Sequence, residues 1–433
     1  MSRSIFYLTV CLAAAIGLVA RAANDATSAD AVTIEELVSS TLAQSPELRF
    51  YEAEIAAAQA GRKTAGLLAN PEVSGSIGTK RTRDAADNLA GEGLAWSVSA
   101  MQNFEWPGRL GLRKAIANRD VALAELGLAR FRASLAARTR LLAYGLFAAE
   151  EKAEATAEVA DRMRALKEVL VQRDPAGITP LLETRVIEAT ELTTQRQAAE
   201  AALAVESALL ELNALRGLTN SGRLVVKPAE LSFRPTFELP QLLSLARTNN
   251  FDLRLRAVEL EQQGFRVDLA KNERWPGISV GPMISEENAV DRERIIGAGV
   301  SFPLPLWNRN GANIAAAKAR QLQAETLLAV AERDTDRQVI QAATTYRTKL
   351  REMERWRPDA IAHFRSAADL ADRQYRLSAL PAATYVELQR QYLEAMSGLL
   401  DTKREALEAA QQLELLTGLP EPLVTTKPPE ARP

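Results

Sequence analysis

The sequence predicts a mainly α protein with a small β part: long antiparallel coiled-coil helices and four strands, each with one apolar and one small-polar face. Three observations point there. From Leu94 to Phe104, the residues Trp96, Val98, Ala100 and Phe104 fall on one face and Ser97 and Ser99 on the other, the alternation of a strand with unlike faces. Pro107 and Gly108 break that strand, and the Ala-, Leu- and Arg-rich stretch that follows has no proline until Pro175, reading as one very long helix. Near position 295 the passage recurs as IIGAGVSFPL, then PLWNRNG, then ANIAAAKARQLQAETLLAV.

Composition narrows the class. Of 433 residues 25% are charged and the formal net charge is −2, so no basic surface points to nucleic acid. Mean hydropathy is −0.13, and past the N-terminus no apolar run reaches the length of a membrane helix. That excludes a helical membrane protein but not a barrel, whose strands leave little hydropathy signal. Arg3, the apolar run Ile5–Ala20 and the small residues of Ala20-Arg21-Ala22 read as a secretory signal peptide over residues 1–22. Cys11, the one cysteine, falls inside it. Val10 is bulky where lipid attachment wants a small residue, and the apolar run continues past Cys11, so lipidation is not expected. The mature chain then offers no disulfide, thiolate metal site or cysteine nucleophile.

Taken in order, residues 23–32 form a lead-in and Thr33 caps a short helix over Ile34–Leu42. Ser45-Pro46-Glu47 starts a second helix, with proline in its first turn, running to about Leu68. Asn70-Pro71 stops it. Pro71–Thr79 alternates Val73, Gly75 and Ile77 against small polar residues and reads as a strand, Lys80–Gly93 as a solvated loop, and the strand to Phe104 completes a hairpin over 71–104. The helix from Leu110 to Asp174 would be ~97 Å long at 1.5 Å per residue, too long for a globular domain, so it must pack lengthwise. Val121, Leu128, Leu135, Leu142 and Ala149 recur every seven residues, a coiled-coil stripe. Arg173–Gly177 breaks it, and Pro180 opens a return helix to about Leu215, giving a helical hairpin over 110–215. Residues 217–240, with Pro228, Pro235 and Pro240, form a linker.

The second half, 241–416, repeats the first, 23–216. Asn250-Phe251-Asp252-Leu253 stands where Ser45-Pro46-Glu47-Leu48 stood, and Trp275-Pro276-Gly277-Ile278 echoes Asn70-Pro71-Glu72-Val73. Leu306-Trp307-Asn308-Arg309-Asn310-Gly311 echoes Trp106-Pro107-Gly108-Arg109-Leu110-Gly111 at an offset of 200. Strands at Pro276–Ser285 and Arg294–Leu304, joined by a polar loop at Glu286–Glu293, make the second hairpin over 276–304. A long helix from Ala312 towards Leu380 is interrupted at Pro358. Past a tip at Leu377–Pro381 the last helix runs to Leu416, giving a helical hairpin over 312–416. Residues 417–433 read as a disordered, proline-rich tail.

Strands of roughly 9–11 residues span a bilayer when tilted. Their apolar faces are Val73/Ile77, Trp96/Val98/Ala100/Phe104, Ile278/Val280/Ile284 and Ile296/Ala298/Val300/Phe302, and the alternate positions are mostly Ser and Gly. A soluble sandwich also alternates, but four strands are few for one and the helices are too long for a compact core. Four strands cannot close a membrane barrel, and open edges are forbidden in lipid, so several chains must share one. Trp96, Phe104 and Trp106 read either as anchors at a bilayer edge or as core packing.

This order of elements, with the Trp106-Pro107-Gly108-Arg109 entry into the long helix, resembles the TolC-like family of outer membrane efflux proteins over the whole mature chain. The wording of that junction and of Gly177-Ile178-Thr179-Pro180 is most similar to the cobalt–zinc–cadmium heavy-metal branch. The resemblance implies a homotrimer in the bacterial outer membrane, with four transmembrane β-strands per chain forming a trimeric 12-stranded β-barrel. An α-helical tunnel continues it through the periplasm. It further implies a passive exit duct for substrates, heavy-metal cations in that branch, whose tips dock on a periplasmic adaptor and an inner-membrane RND-type pump. The competing reading is a periplasmic coiled-coil adaptor or scaffold without a barrel, although an adaptor usually has one long hairpin and this chain has two.

No catalytic set appears, no cofactor is expected, and His363 stands in a helix without a second histidine or cysteine nearby, so no metal site is expected either. The resemblance puts the adaptor-docking and aperture residues at the two tips: Gly177, Thr179, Pro180 and Glu183 at the first, and Tyr375, Ser378 and Glu387 at the second. Ser378 replaces a glycine of the family pattern. Ringed by symmetry, the carboxylates of Glu183 and Glu387 would favour cations in a narrow mouth; otherwise they are solvated helix positions. Trp106, Pro107, Gly108, Trp307 and Asn308 are expected at the strand–helix junctions.

Overall fold

The computed structural model describes residues 32–173, 181–218, 224–227, 230–356, 360–377 and 379–427. The expected signal peptide lies outside them. The elements are α1 (Ile34–Gln44), α2 (Glu47–Ala65), β1 (Glu72–Arg83), β2 (Leu89–Phe104), α3 (Arg109–Arg173), α4 (Leu181–Leu215), β3 (Glu230–Phe233), α5 (Leu239–Asn249), α6 (Phe251–Asn272), β4 (Ile278–Asn288), β5 (Arg292–Ser301), α7 (Gly311–Glu354), α8 (Ala360–Arg376), α9 (Ala382–Thr417) and β6 (Val424–Lys427). They divide into two compact units.

One unit is helical, built from the chain up to Pro46, Phe131–Ala246 and Arg337 onward. α1 opens it under a capping box: the Glu36 amide donates to Thr33 Oγ1 at 3.3 Å and the Thr33 amide to Glu36 Oε2 at 2.8 Å, so two amides at the helix start are satisfied reciprocally. Its core includes Tyr144, Met163, Ile187, Tyr346, Tyr385 and Leu413, all fully buried. The Tyr346 hydroxyl reaches a partner, donating to the Arg234 carbonyl at 2.7 Å, as a buried phenol requires. Two expectations are corrected here. The linker and the tail each hold a strand, and these pair antiparallel, Glu230 with Lys427 through Phe233 with Val424. The physical reason is burial: Leu423 and Val424 are 3% and 9% exposed and join the core. The Leu423 amide is held by Glu414 Oε1 at 2.6 Å.

The other unit comprises Glu47–Arg130 and Arg247–Asp336. It holds a four-stranded antiparallel sheet in the order β1-β2-β4-β5. Its helices follow the same order: the first part of α3 meets α2, where Tyr51 lies 3.8 Å from a Cβ built on Gly127. It meets α6 through Arg119–Glu261 at 2.9 Å. On the other side of α6 lies the first part of α7, where Ile314 and Ala317 pack on Val267 and Ala270. β1, β2 and β4 are longer than expected, β5 starts earlier and stops at Ser301 short of Leu304, and the loops are shorter. Lys80–Arg83 and Leu89–Gly93 are strand rather than loop, because charged pairs such as Arg81–Glu92 at 3.0 Å lie across the ladder. Only 84–88 turns, with Asp84 Oδ1 accepting from the Ala86 and Asn88 amides at 2.9 Å. In the second hairpin Asn288 pairs with Arg292, so the turn shrinks to 289–291.

Candidate functional site

The sheet has two unlike faces. In antiparallel pairs, directly opposed residues share a face, and the register aligns Ile77 with Trp96, Val98 with Ile284 and Ile284 with Ile296. Ile77 is 77% and Ile296 75% exposed, so the face formed by these residues is a bare apolar surface. On the other face Ser74 and Ser99 share a hydrogen bond at 2.8 Å, and Ser76 and Ser97 one at 2.9 Å. One surface thus suits hydrocarbon and the other water. Glycines let the strands approach closely: a Cβ on Gly281 would come within 1.8 Å of the Ala100 carbonyl oxygen.

The first junction is a fixed corner. Trp106 stacks on Trp275 at 5.3 Å and 19°, and the Pro107 carbonyl accepts from Asn272 Nδ2 at 3.0 Å. Gly108 adopts φ +86, a conformation costly for side chains with a Cβ, and its carbonyl takes the Leu112 amide at 3.0 Å to start α3. Arg109 donates to the Asn272 carbonyl at 3.2 Å, satisfying the end of α6. At the second junction Asn308 Oδ1 accepts from the Asn310 amide at 2.9 Å, and Asn310 Nδ2 donates to the Ala270 carbonyl at 2.8 Å. Asn310 has φ 60 and passes its carbonyl to Ile314 at 3.0 Å. Asn310, not Asn308, therefore corresponds to Gly108, an offset of 202 rather than the 200 read from the sequence. Trp307 is not packed in a corner; it is 93% exposed.

Gly177, Thr179, Pro180 and Ser378 lie outside the described residues, as does the side chain of Glu183. Tyr375 stacks on Tyr385 at 5.1 Å and 25°. Glu387 pairs with Arg390 of its own helix at 2.8 Å, which holds its carboxyl below the usual carboxylate range. Sequence reasoning missed the network beside Tyr375. Arg162 of α3 bridges Glu158 and Asp369, and Arg365 of α8 reaches Glu158 at 3.1 Å, whose charge raises the Arg365 pKa. Tyr385 donates to Asp372 at 3.1 Å, with its hydroxyl pKa raised by burial and then by that carboxylate. These residues tie α3, α8 and α9 together. The signal for them was faint, one arginine and one acid per helix among many. Beside them a groove of about 510 Å³ between α3, α4 and α9 is lined by Met163, Thr190, Thr194 and Gln389, and the Oε1 of buried Gln389 has no hydrogen-bond partner among the described residues. Among the described residues no group of His, Cys, Asp and Glu is placed to hold a metal ion, and no helix is long and apolar enough to cross a membrane.

Residues 242–419 match the family model described as outer membrane efflux protein. The cobalt-zinc-cadmium resistance protein CzcC of Cupriavidus metallidurans is 23% identical over 292 residues, 66% of this chain and 66% of that protein, just under two thirds of its length. Among solved structures, CusC matches with a TM-score of 0.70 at 15% identity, over 90% of this chain and 92% of that one. The Campylobacter jejuni CmeC outer membrane channel matches with a TM-score of 0.71 at 16% identity, over 89% of this chain and 85% of that one. The fold is therefore that of outer membrane channels, with long helices continuing a small sheet. Residues 242–419 thus resemble outer membrane efflux proteins, the chain has the fold of outer membrane channels, and its sequence is similar to that of a cobalt–zinc–cadmium resistance protein.

Proposed function

We propose that three copies of this chain form a passive exit duct for heavy-metal cations, fed by an inner-membrane pump through a periplasmic adaptor. The observation that carries it is the sheet. β1 and β5 are its open edges, its exposed face is apolar, and unpaired strand edges in hydrocarbon leave costly unsatisfied amides and carbonyls. Three sheets edge to edge make twelve strands and abolish every edge, with the serine face lining water. The duct needs no bound metal of its own, since cargo passing a pore must leave as readily as it enters. The cation class rests on the likeness to a cobalt-zinc-cadmium resistance protein.

The helix tips, Gly177 to Glu183 and Tyr375 to Glu387, meet the adaptor, and the polar groove between α3, α4 and α9 suits a partner helix carrying a hydrogen-bond donor for Gln389. The ion pairs among Arg162, Glu158, Asp369 and Arg365 hold the helices of the closed aperture together. The test is growth of a strain lacking this chain on cobalt, zinc and cadmium. Greater sensitivity, restored by the intact chain but not by one lacking residues 173–180 that still assembles, supports the reading. Unchanged tolerance to all three metals overturns the cargo, and loss of assembly in the deletion overturns the docking role of the tip.

A further inference from the structure

Where the sheet gives way to helices, the chain is basic. Residues 60–72, 105–120, 261–274 and 305–320 connect the strands to α2, α3, α6 and α7 and form the adjoining helix turns. Together they carry twelve Arg and Lys against six Asp and Glu, in a chain whose net charge is −2. The hairpin ends at the other edge of the sheet, 80–93 and 285–294, carry five against seven, so the surplus is confined to the helical end. Arg113 is held there by Glu105, Arg119 by Glu261 and Lys271 by Asp268. Arg62, Lys63, Lys114 and Lys318 are exposed and form no ion pair among the described residues.

The side these four take follows from a cavity beside them. It holds about 790 Å³ and is lined by Gly61 of α2, Arg113 of α3, Arg266 of α6 and Arg320 of α7. One cavity reaches four helices laid side by side only on the concave side of their layer. That is also the serine side of the sheet, since Arg113 reaches Glu105 at 2.5 Å and Glu105, one residue past Phe104, continues the alternation with Ser97 and Ser99. Lys63 and Lys318 are two residues from Gly61 and Arg320, about 200° round the helix, so they project from the convex side, continuous with the apolar face of the sheet. Lys114 lies over the seam between α3 and α2, its Cδ 3.9 Å from a Cβ built on Gly66, and Arg62 is one turn from that glycine. Lys114 and Lys318 stand ~8 and ~11 Å along α3 and α7 from their starts. A headgroup layer is roughly 5–8 Å deep, and long basic side chains reach back towards it. Between the apolar face and these cations stand the stacked Trp106 and Trp275, 37% and 48% exposed, where a membrane interface favours aromatics.

We propose that Arg62, Lys63, Lys114 and Lys318 form a basic collar that binds anionic phospholipid headgroups of the membrane leaflet on the helical side of the barrel. The inference rests on the membrane barrel proposed above, which sets the apolar face of the sheet in hydrocarbon. Basic side chains beside an anionic leaflet each add to the attraction. A zwitterionic headgroup cancels its phosphate with its own ammonium, so the collar selects lipids of net negative charge. It also fixes the depth of the barrel, because lifting these cations into hydrocarbon would strip them of both water and phosphate.

The test is native mass spectrometry of the purified full-length assembly with equal amounts of phosphatidylglycerol and phosphatidylcholine carrying the same acyl chains. Phosphatidylglycerol should be retained at least about tenfold better, and the preference should fall to within about twofold in Arg62→Gln/Lys63→Gln/Lys114→Gln/Lys318→Gln with the copy number unchanged. Equal retention of the two lipids by the unsubstituted assembly overturns the collar, whether or not the variant assembles. So does a preference that survives in the assembled variant, or one lost instead in Arg81→Gln/Arg83→Gln at the other end of the sheet. An assembly of three copies without the preference removes the collar alone. A chain that does not assemble as three copies overturns the channel reading and the collar with it.

Discussion

Gly108 and Glu414 show what single residues contribute. Gly108 has room for a side chain, since a Cβ would lie 3.8 Å from Asn272 Nδ2, so the cost of Gly108→Ala is backbone strain at φ +86, about 1–2 kcal/mol. The expected outcome is a lower melting temperature for the detergent-solubilised protein with unchanged circular dichroism; an unchanged melting temperature would show that the corner relaxes. Burial raises the Glu414 carboxyl pKa, with its bond to the Leu423 amide opposing. A folded-state pKa above the unfolded value means the folded protein holds that proton more tightly. Its contribution is therefore full below the unfolded pKa and is lost as pH rises through the raised folded value. Glu414→Gln should narrow the difference in melting temperature between pH 4 and pH 7, and a wider difference would contradict the burial. Gly108 was legible as a strand breaker. Its counterpart was misplaced by two residues, because Asn308-Arg309-Asn310 offers two asparagines and only backbone geometry shows which one turns left-handed.

Among elements, the hairpins and long helices were legible because periodicity survives over many residues: α3 spans 65 residues in one run, close to the expected helix. Strand ends were not, since Lys80–Arg83 and Arg292–Glu293 are mostly charged and read as loop until cross-strand partners such as Glu92 and Glu286 are known. β3 and β6 were illegible for another reason: each has four residues, too few to show a period, and their pairing is remote in sequence. The α3–α8 ties were invisible because ion pairing depends on how two helices meet. Arg162 is largely shielded, its side chain 16% exposed, so its pairs should outlast the screening that weakens surface bridges. If the ties close the aperture, Arg162→Ala/Arg365→Ala should raise single-channel conductance in planar bilayers several-fold without changing copy number. Conductance equal to the unsubstituted protein would remove them from the gate.

At the scale of the whole molecule, the sheet and its helices leave off at the same edges. β1 and α2 end one side of the layer, β5 and the first part of α7 the other. α2 buries only Leu48, whereas α6, its counterpart in the repeat, buries Leu253, Gln262, Val267 and Ala270. One copy of the repeated helix is packed and the other bare, which fits the proposal that neighbouring copies complete the layer. The strand count alone raised that proposal, because four strands cannot close; the bare helix was not legible. The measurement that tests this most directly is the mass of the assembly extracted from outer membranes in mild detergent, taken by native mass spectrometry. The account predicts three copies that separate only on heating; a single copy that washes from the membrane in salt would contradict it.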